Sequence, residues 1–246
     1  MSTEPVQELL DTFVADLRET LAPVAVWAHG SLALGDFRPG RSDLDLLAVL
    51  DTPPDRDRLR ALHRRIDRTG PYAAGLHCSY LVRDGLADVD RRHPTWAHRR
   101  LFDRTVTPVT RRELALGGRT LLGPPPADLV ADVTDAVLAD FVRADLAAVW
   151  LPATRHPTWW LRDVWVDAGP LTVTRAAVTL ADGRLLSKGE ALDVLAASGA
   201  PAELCADIRR RRYGDPARLT WAQRRHRGTL ARQLVRERIG SLLQPS

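Results

Sequence analysis

Apolar positions in the first third of the chain follow two periods, one typical of helices and one typical of strands. From Val6 to Leu21 they recur at three- and four-residue steps, which predicts an amphipathic helix over 4–21. Short apolar runs predict three strands, at 24–30, 43–50 and 75–82. Further helices are predicted between the strands, at 31–37 and 57–69. This order of elements predicts a small α/β domain with a mixed sheet.

The second half of the chain has a helical pattern throughout. Residues 85–120 are polar, aromatic and rich in turn formers, and we interpret them as a partly helical connection. The proline-rich stretch LLGPPPADL at 121–129 marks the predicted domain boundary. Helices follow it, predicted at 127–150, 157–181, 188–197, 201–213 and 217–242. We therefore predict an α/β domain with flanking helices over 1–122 and an all-α helical bundle over 123–246.

Composition and charge exclude several classes of protein. The net charge is +4 at pH 7, and arginine supplies nearly all of the positive charge because Lys188 is the only lysine. The arginine-rich stretches at 207–214 and 221–240 hold apolar residues at helical spacing and match no nucleic-acid module, so a nucleic-acid partner is not favoured. No apolar run is long enough for a membrane span, and no secretory signal pattern is present. We expect a cytoplasmic protein whose cysteines, Cys78 and Cys205, stay reduced.

The stretch HGSLALGDFRPGRSDLDLLAVL, residues 29–50, contains the strongest chemical signal. Asp43 and Asp45 are two residues apart in a predicted strand, so their side chains share one face. Two neighbouring carboxylates repel each other unless a cation lies between them, and hard oxygen ligands favour Mg²⁺. Gly30 and Ser31 open the predicted short helix, where free N–H groups favour a phosphate. The pattern predicts metal-assisted phosphoryl or nucleotidyl transfer. A capped turn at Asp43 is the structural alternative.

The order apolar-Gly-Ser, spacer, Asp-apolar-Asp-apolar resembles the signature of the nucleotidyltransferase superfamily. An α/β domain followed by a helical domain narrows the resemblance to the aminoglycoside adenylyltransferases that modify streptomycin and spectinomycin. Weaker motifs of the second half occur in that family's order: LLGP (121–124), LTVTRA (171–176), GRLLSKGEALD (183–193) and IRRRRYGD (208–215). The resemblance covers residues from about 20 to 235.

The resemblance implies ATP as substrate, Mg²⁺ as cofactor and a role for each matching residue. Asp43 and Asp45 would bind the metal and the nucleotide phosphates. The other nucleotide-binding candidates are Gly30, Ser31, Ser42, Arg175, Lys188 and Tyr213. Lys188 would offer a compact charge to a phosphate, although a solvated charge at a helix end is the alternative.

The third predicted strand departs from the family pattern. Where the family has a glutamate that serves as general base, this chain has His77. Three interpretations stay open. His77 is the base of a working transferase; or a carboxylate such as Asp84 or Asp103 replaces the glutamate; or the protein binds nucleotide with little or no transfer. A histidine satisfied within the sheet is the structural alternative.

The segment HPTWWLRDVWVDAG at 156–169 contains the candidate acceptor site. Aromatic faces and carboxylates suit a cationic sugar. The candidates are Trp159, Trp160, Asp163, Trp165 and Asp167. Tryptophans at helical spacing are often core residues, and one aspartate could instead pair with Arg162.

The sequence as a whole predicts transfer of AMP from ATP to a hydroxyl group of a small cationic acceptor by a monomeric enzyme. The alternative function is a nucleotide-binding regulatory or interaction protein with weak or no transfer activity. Other hydroxylated acceptors, or a protein side chain, stay open, and a nucleic-acid-directed transferase is the third hypothesis.

Overall fold

A computed structural model describes residues 4–244. Contacts within the chain divide it after Val133 into two compact units. This division comes later along the chain than the predicted boundary between 122 and 123, because the segment 123–133, which follows strand β6 (Arg119–Leu122), also belongs to the N-terminal unit. No helix in the described part of the chain is long and apolar enough to cross a membrane.

Within residues 4–244, six strands of the N-terminal unit form one mixed sheet. In chain order the strands are β1 (Ala25–Ala28), β2 (Leu44–Leu50), β3 (Leu76–Val82), β4 (Arg92–Ala97), β5 (Arg100–Thr105) and β6 (Arg119–Leu122). Their spatial order is β5-β4-β3-β2-β1-β6, and β2 and β3 are the parallel pair. The helices of this unit are α1 (Glu4–Leu21), α2 (Arg56–Ile66) and α3 (Pro108–Gly117). The predicted mixed sheet is therefore confirmed.

Side chains of β2 alternate between two separate cores. Leu44 and Leu46 pack on one face against apolar residues of α1 and α2. Leu47 and Val49 pack on the opposite face with Trp27 of β1 and Leu114 of α3. Because side chains alternate along a strand, Asp45 lies on the same face as Leu47 and Val49, which is the α3 side.

One sequence prediction for this unit is wrong and another is incomplete. The predicted helix 31–37 is a set of tight turns, because Gly35 takes the left-handed conformation at φ +67° and the Gly-Pro-rich loop follows at once. The predicted connection over 85–120 contains β4, β5, α3 and the start of β6. Its hairpin turn, His98-Arg99, has positive φ at both positions without glycine or asparagine, so the usual sequence signal of such a turn is absent.

Helices make up the C-terminal unit, as predicted. They are α4 (Asp135–Asp145), the single turn α5 (Leu151–Ala153), α6 (Asp163–Asp182), α7 (Lys188–Ala197), α8 (Ala202–Tyr213) and α9 (Trp221–Leu242). A π-turn at Leu146–Trp150 joins α4 to α5, and a 3₁₀ turn spans Pro157–Leu161. The capping box of Ser187 and Glu190 at the start of α7 is present in both directions.

Candidate active site

Three neighbouring strands bring the candidate residues to one edge of the sheet. β1 is followed directly by His29 and Gly30, and the backbone N–H of His29 donates to the carbonyl of Asp45 over 2.9 Å. Asp45 is the second residue of β2 and lies in register with His77, the second residue of β3. The parallel pairing of β2 with β3 therefore places His77 beside Asp45, at the position where the family resemblance implies a glutamate.

His77 lies between the two carboxylates. Its Nδ1 is 3.5 Å from Asp45 Oδ1, and its Nε2 is 3.9 Å from Asp43 Oδ1. The side chain of His77 is 5% exposed, against 53% for Asp43 and 27% for Asp45. Burial raises the pKa of Asp45, but the nearby His77, His29 and Arg104 outweigh this effect and hold the pKa below its usual value. The lowered pKa of Asp45 favours its ionised form.

Gly30 leaves open the space beside Asp45. Its φ is +63°, and a Cβ built on it would lie 2.7 Å from Asp45 Oδ2. Ser31 follows, and its buried Oγ has no hydrogen-bond partner within residues 4–244. Ser42 Oγ instead accepts from the backbone N–H of Arg38 over 3.1 Å and closes the loop before Asp43. Since 31–37 is not a helix, the open backbone at Gly30 and the Ser31 hydroxyl remain as the phosphate-binding features, without a helix N-terminus.

This donor set fits a magnesium ion. Asp43 and Asp45 offer hard carboxylate oxygens, and the space left by Gly30 lies directly beside Asp45 Oδ2. In the part of the chain that is described, no three His, Cys, Asp or Glu side chains gather as a metal site. Magnesium needs no such group when it is shared with substrate phosphates, because one or two protein carboxylates then suffice. The carboxylate pair would hold the ion.

The carboxylates considered as replacements for the missing glutamate lie elsewhere. Asp84 follows the far end of β3 and pairs with Arg91 at 3.1 Å. Asp103 of β5 pairs with Arg56 at the start of α2, on the sheet face opposite Asp45. Neither side chain is at the site.

Sequence reasoning missed a buried carboxylate that is close to the site. Glu113 of α3 is nearly buried, and its Oε2 lies 3.1 Å from Nδ1 of His29. Its signal in the sequence is weak, because an acidic residue within a helix is most often exposed.

Of the three nucleotide-binding candidates in the C-terminal unit, Arg175 and Lys188 are connected through one segment. Arg175 of α6 donates from Nε to the carbonyl of Leu186 over 2.7 Å, just before the Ser187 cap. Lys188 is exposed as the first residue of α7. This hydrogen bond therefore joins Arg175 to the segment that leads into α7, where Lys188 is the first residue. Tyr213 lies at the end of α8, with the Arg212 guanidinium 5.4 Å from its ring centre.

The acceptor candidates divide into an aromatic cluster and a charged network. Trp165 lies 5.0 Å from Trp159 and 6.1 Å from Trp160, measured between ring centres. Trp160 is buried, whereas Trp159 is partly exposed. Asp163 pairs with Arg227 and Asp167 with Arg211, and both arginines are nearly buried. The two aspartates are therefore paired with these arginines, and not with Arg162, which the sequence offered as an alternative partner for one of them.

Asp145 of α4 is a carboxylate of this region that the sequence reasoning missed. Trp150 donates from Nε1 to its Oδ2 over 3.1 Å, and Trp150 contacts Trp165 at 5.6 Å between ring centres. Burial raises the pKa of Asp145 against the effect of that hydrogen bond. Asp145 thus places a half-buried carboxylate at the edge of the tryptophan cluster.

Residues 10–92 match the family model of the nucleotidyltransferase domain. This chain carries a nucleotidyltransferase domain. Among solved structures, spectinomycin adenyltransferase AAD(9) from Enterococcus faecialis, solved with ATP and spectinomycin, is similar to it with a TM-score of 0.73. The two chains are 14% identical, and the similarity covers 95% of this chain and 99% of that one. No curated protein sequence matches this chain.

These comparisons confirm the predicted superfamily, the fold class and the expectation of a nucleotidyltransferase enzyme. The matched residues run from α1 to the first residue of β4 and contain Gly30, Asp43, Asp45 and His77. The site geometry thus lies within the nucleotidyltransferase domain itself.

Proposed function

We propose that this protein transfers AMP from ATP to a hydroxyl group of a small cationic acceptor of the aminoglycoside type, with Mg²⁺. The observation that carries the proposal is the pair Asp43 and Asp45 at the sheet edge, with the open space of Gly30 beside Asp45. The similarity to an adenyltransferase solved with ATP and spectinomycin supports the choice of nucleotide and of acceptor class. We also expect a monomer that works in the cytoplasm.

The protein groups would act by binding and orientation. The acceptor oxygen attacks the α-phosphorus of ATP, the bond to the bridging oxygen breaks, and pyrophosphate leaves. Asp43 and Asp45 would hold the magnesium ion, which when bound would supply positive charge to the phosphates. Gly30 lets the phosphates approach the backbone, and Ser31 Oγ offers a hydrogen bond. His77 lies buried between the two carboxylates, closer to Asp45 than to Asp43, and would help to position them.

In the C-terminal unit, Arg175, Lys188 and Tyr213 remain our candidates for nucleotide contacts. Trp159 and Trp165 remain candidates for the acceptor because an aromatic face binds a cation well. Trp160 supports them from the core. Asp163 and Asp167 are already paired with Arg227 and Arg211, so we place them in the support of this region and not in direct contact with the acceptor.

A pyrophosphate-release assay with ATP, Mg²⁺ and a panel of aminoglycosides and other polyols tests the proposal. The Asp45→Asn variant should lose activity by about 100-fold or more, because a charged group that binds the reacting phosphates is neutralised. Asp51→Asn is the matched control: Asp51 follows the other end of β2 and pairs with Arg83 at 3.2 Å. Turnover at the wild-type rate in Asp45→Asn would contradict the proposed role of the pair.

A nucleotide-binding protein without transfer activity is the second candidate. It is favoured by the absence of a carboxylate at the His77 position of β3. Titration calorimetry separates the two: this candidate predicts that ATP binds while no acceptor of the panel releases pyrophosphate.

A further inference from the structure

The turn between β4 and β5 holds an unusual backbone close to the site. His98 has φ +51° and Arg99 has φ +59°, and together they form the two-residue loop of the hairpin. Positive φ is uncommon outside glycine; asparagine, aspartate and histidine adopt it more often than other side chains, so Arg99 is the rarer case of the two. Strain of this kind often collects at functional sites. A two-residue hairpin loop requires this conformation, and it is the location of the loop beside the site that bears on function.

Contacts on both sides fix this turn. Arg99 Nε lies 3.6 Å from Asp67 Oδ2 at the C-terminal end of α2. The ring of His98 packs edge-on against His77, with ring centres 4.6 Å apart and an angle of 73° between planes. Arg99 thus points to α2, while His98 covers the imidazole that lies between Asp43 and Asp45.

Accessibility distinguishes the two histidines. His77 is buried, each of its nitrogens faces a carboxylate, and its Nε2 makes no hydrogen bond with any residue from 4 to 244. An acceptor hydroxyl cannot reach a nitrogen that is enclosed in this way. His98 is exposed at the tip of the hairpin and directly adjoins His77. It is the imidazole of this pair that an acceptor molecule can touch.

We propose that His98 is the general base of the transfer reaction, in the place of the carboxylate that β3 lacks. The inference rests on the proposed function. A neutral ring nitrogen of His98 takes the proton of the acceptor hydroxyl as its oxygen bonds to the α-phosphorus, and pyrophosphate leaves with the electron pair of the broken bond. The imidazolium then releases its proton to water. His77 is a positioning residue that holds the carboxylates and supports the His98 ring.

The turn itself supplies a matched pair of variants. Asparagine tolerates the left-handed conformation, so His98→Asn keeps the backbone but removes the proton acceptor. Arg99→Asn changes the adjacent position, which has the same backbone strain, and removes one weak surface ion pair. The rate of AMP transfer should fall about 100-fold in His98→Asn and only a few-fold in Arg99→Asn, with ATP affinity unchanged in both.

Rescue by added imidazole separates a catalytic role of His98 from a structural one, because imidazole can replace a missing base but cannot repair a misfolded turn. We expect imidazole to restore turnover in His98→Asn and to leave the wild type and Arg99→Asn unaffected. Wild-type turnover in His98→Asn, or a loss that imidazole does not restore, overturns the assignment of His98 while the transfer reaction stands. A wild-type protein that binds ATP but releases no pyrophosphate with any acceptor overturns the proposed function and this inference together.

Discussion

His29 and Glu113 form a buried pair, with Nδ1 of the imidazole 3.1 Å from Oε2 of the carboxylate. The pair connects α3 to the segment between β1 and Gly30. Because the backbone N–H of His29 also donates to the carbonyl of Asp45, the position of α3 bears on the position of the carboxylate pair. Helix α3, whose bounds the sequence left undefined within a partly helical connection, therefore supports the site.

Replacing Glu113 tests this connection. Glu113→Ala should lower the free energy of unfolding by about 1–3 kcal/mol, because it leaves a buried imidazole N–H without its acceptor. Glu113→Gln keeps an oxygen at that place and should cost clearly less. Urea titration of both variants measures the effect, and calorimetry should show weaker ATP binding in Glu113→Ala. Equal losses of stability in the two variants would argue against the hydrogen bond as the cause.

Gly30→Ala should abolish activity because the added methyl group displaces the carboxylate of Asp45. The added Cβ would lie 2.7 Å from Asp45 Oδ2, so the carboxylate must move, and the positive φ adds backbone strain of about 1 kcal/mol. Gly35→Ala is the control, because Gly35 has a similar φ of +67° with no atom within 4 Å of the added Cβ. Both variants should lose similar stability in urea, while only Gly30→Ala loses pyrophosphate release. Equal activity in the two variants would mean that space beside Asp45 is not needed.

The sequence predicted those parts of the site that depend on a strand period and on short motifs. Asp45 and His77 are adjacent because each is the second residue of an apolar strand, and such strands are visible in the sequence. The hairpin was missed because β5 is polar, with charged residues at three of its six positions, and its turn residues His98 and Arg99 carry no turn signal. The ion pairs of Asp163 with an arginine of α9 and of Asp167 with an arginine of α8 could not be predicted either, because they depend on how helices distant in sequence pack.

His63 of α2 should make stability depend on pH. Its Nε2 lies 2.6 Å from Tyr80 Oη, and burial lowers the pKa of His63 to about 3 from its ordinary value of 6.5. Below pH 6.5 the unfolded chain binds a proton here that the folded chain does not, so stability falls as the pH decreases toward 3. The contribution approaches about 1.4 kcal/mol per pH unit. Urea titrations between pH 7 and pH 5 should show a shallower pH slope in His63→Phe, and an identical slope would contradict a neutral buried His63.

Arg211 of α8 should stabilise the C-terminal unit far more than its neighbour Arg209. Arg211 is nearly buried and pairs with both Asp167 and Asp207, and burial raises the pKa of Asp167 against the effect of Arg211. Removing one partner of a buried ion pair leaves an uncompensated charge, so Arg211→Ala should cost about 3–5 kcal/mol of unfolding free energy. Arg209→Ala breaks an exposed pair with Asp193 and should cost about 1 kcal/mol or less. Thermal and urea unfolding of the two variants measure the difference. A small loss of stability in Arg211→Ala would contradict the importance of this ion pair and would mean that Asp167 is available to bind an acceptor cation.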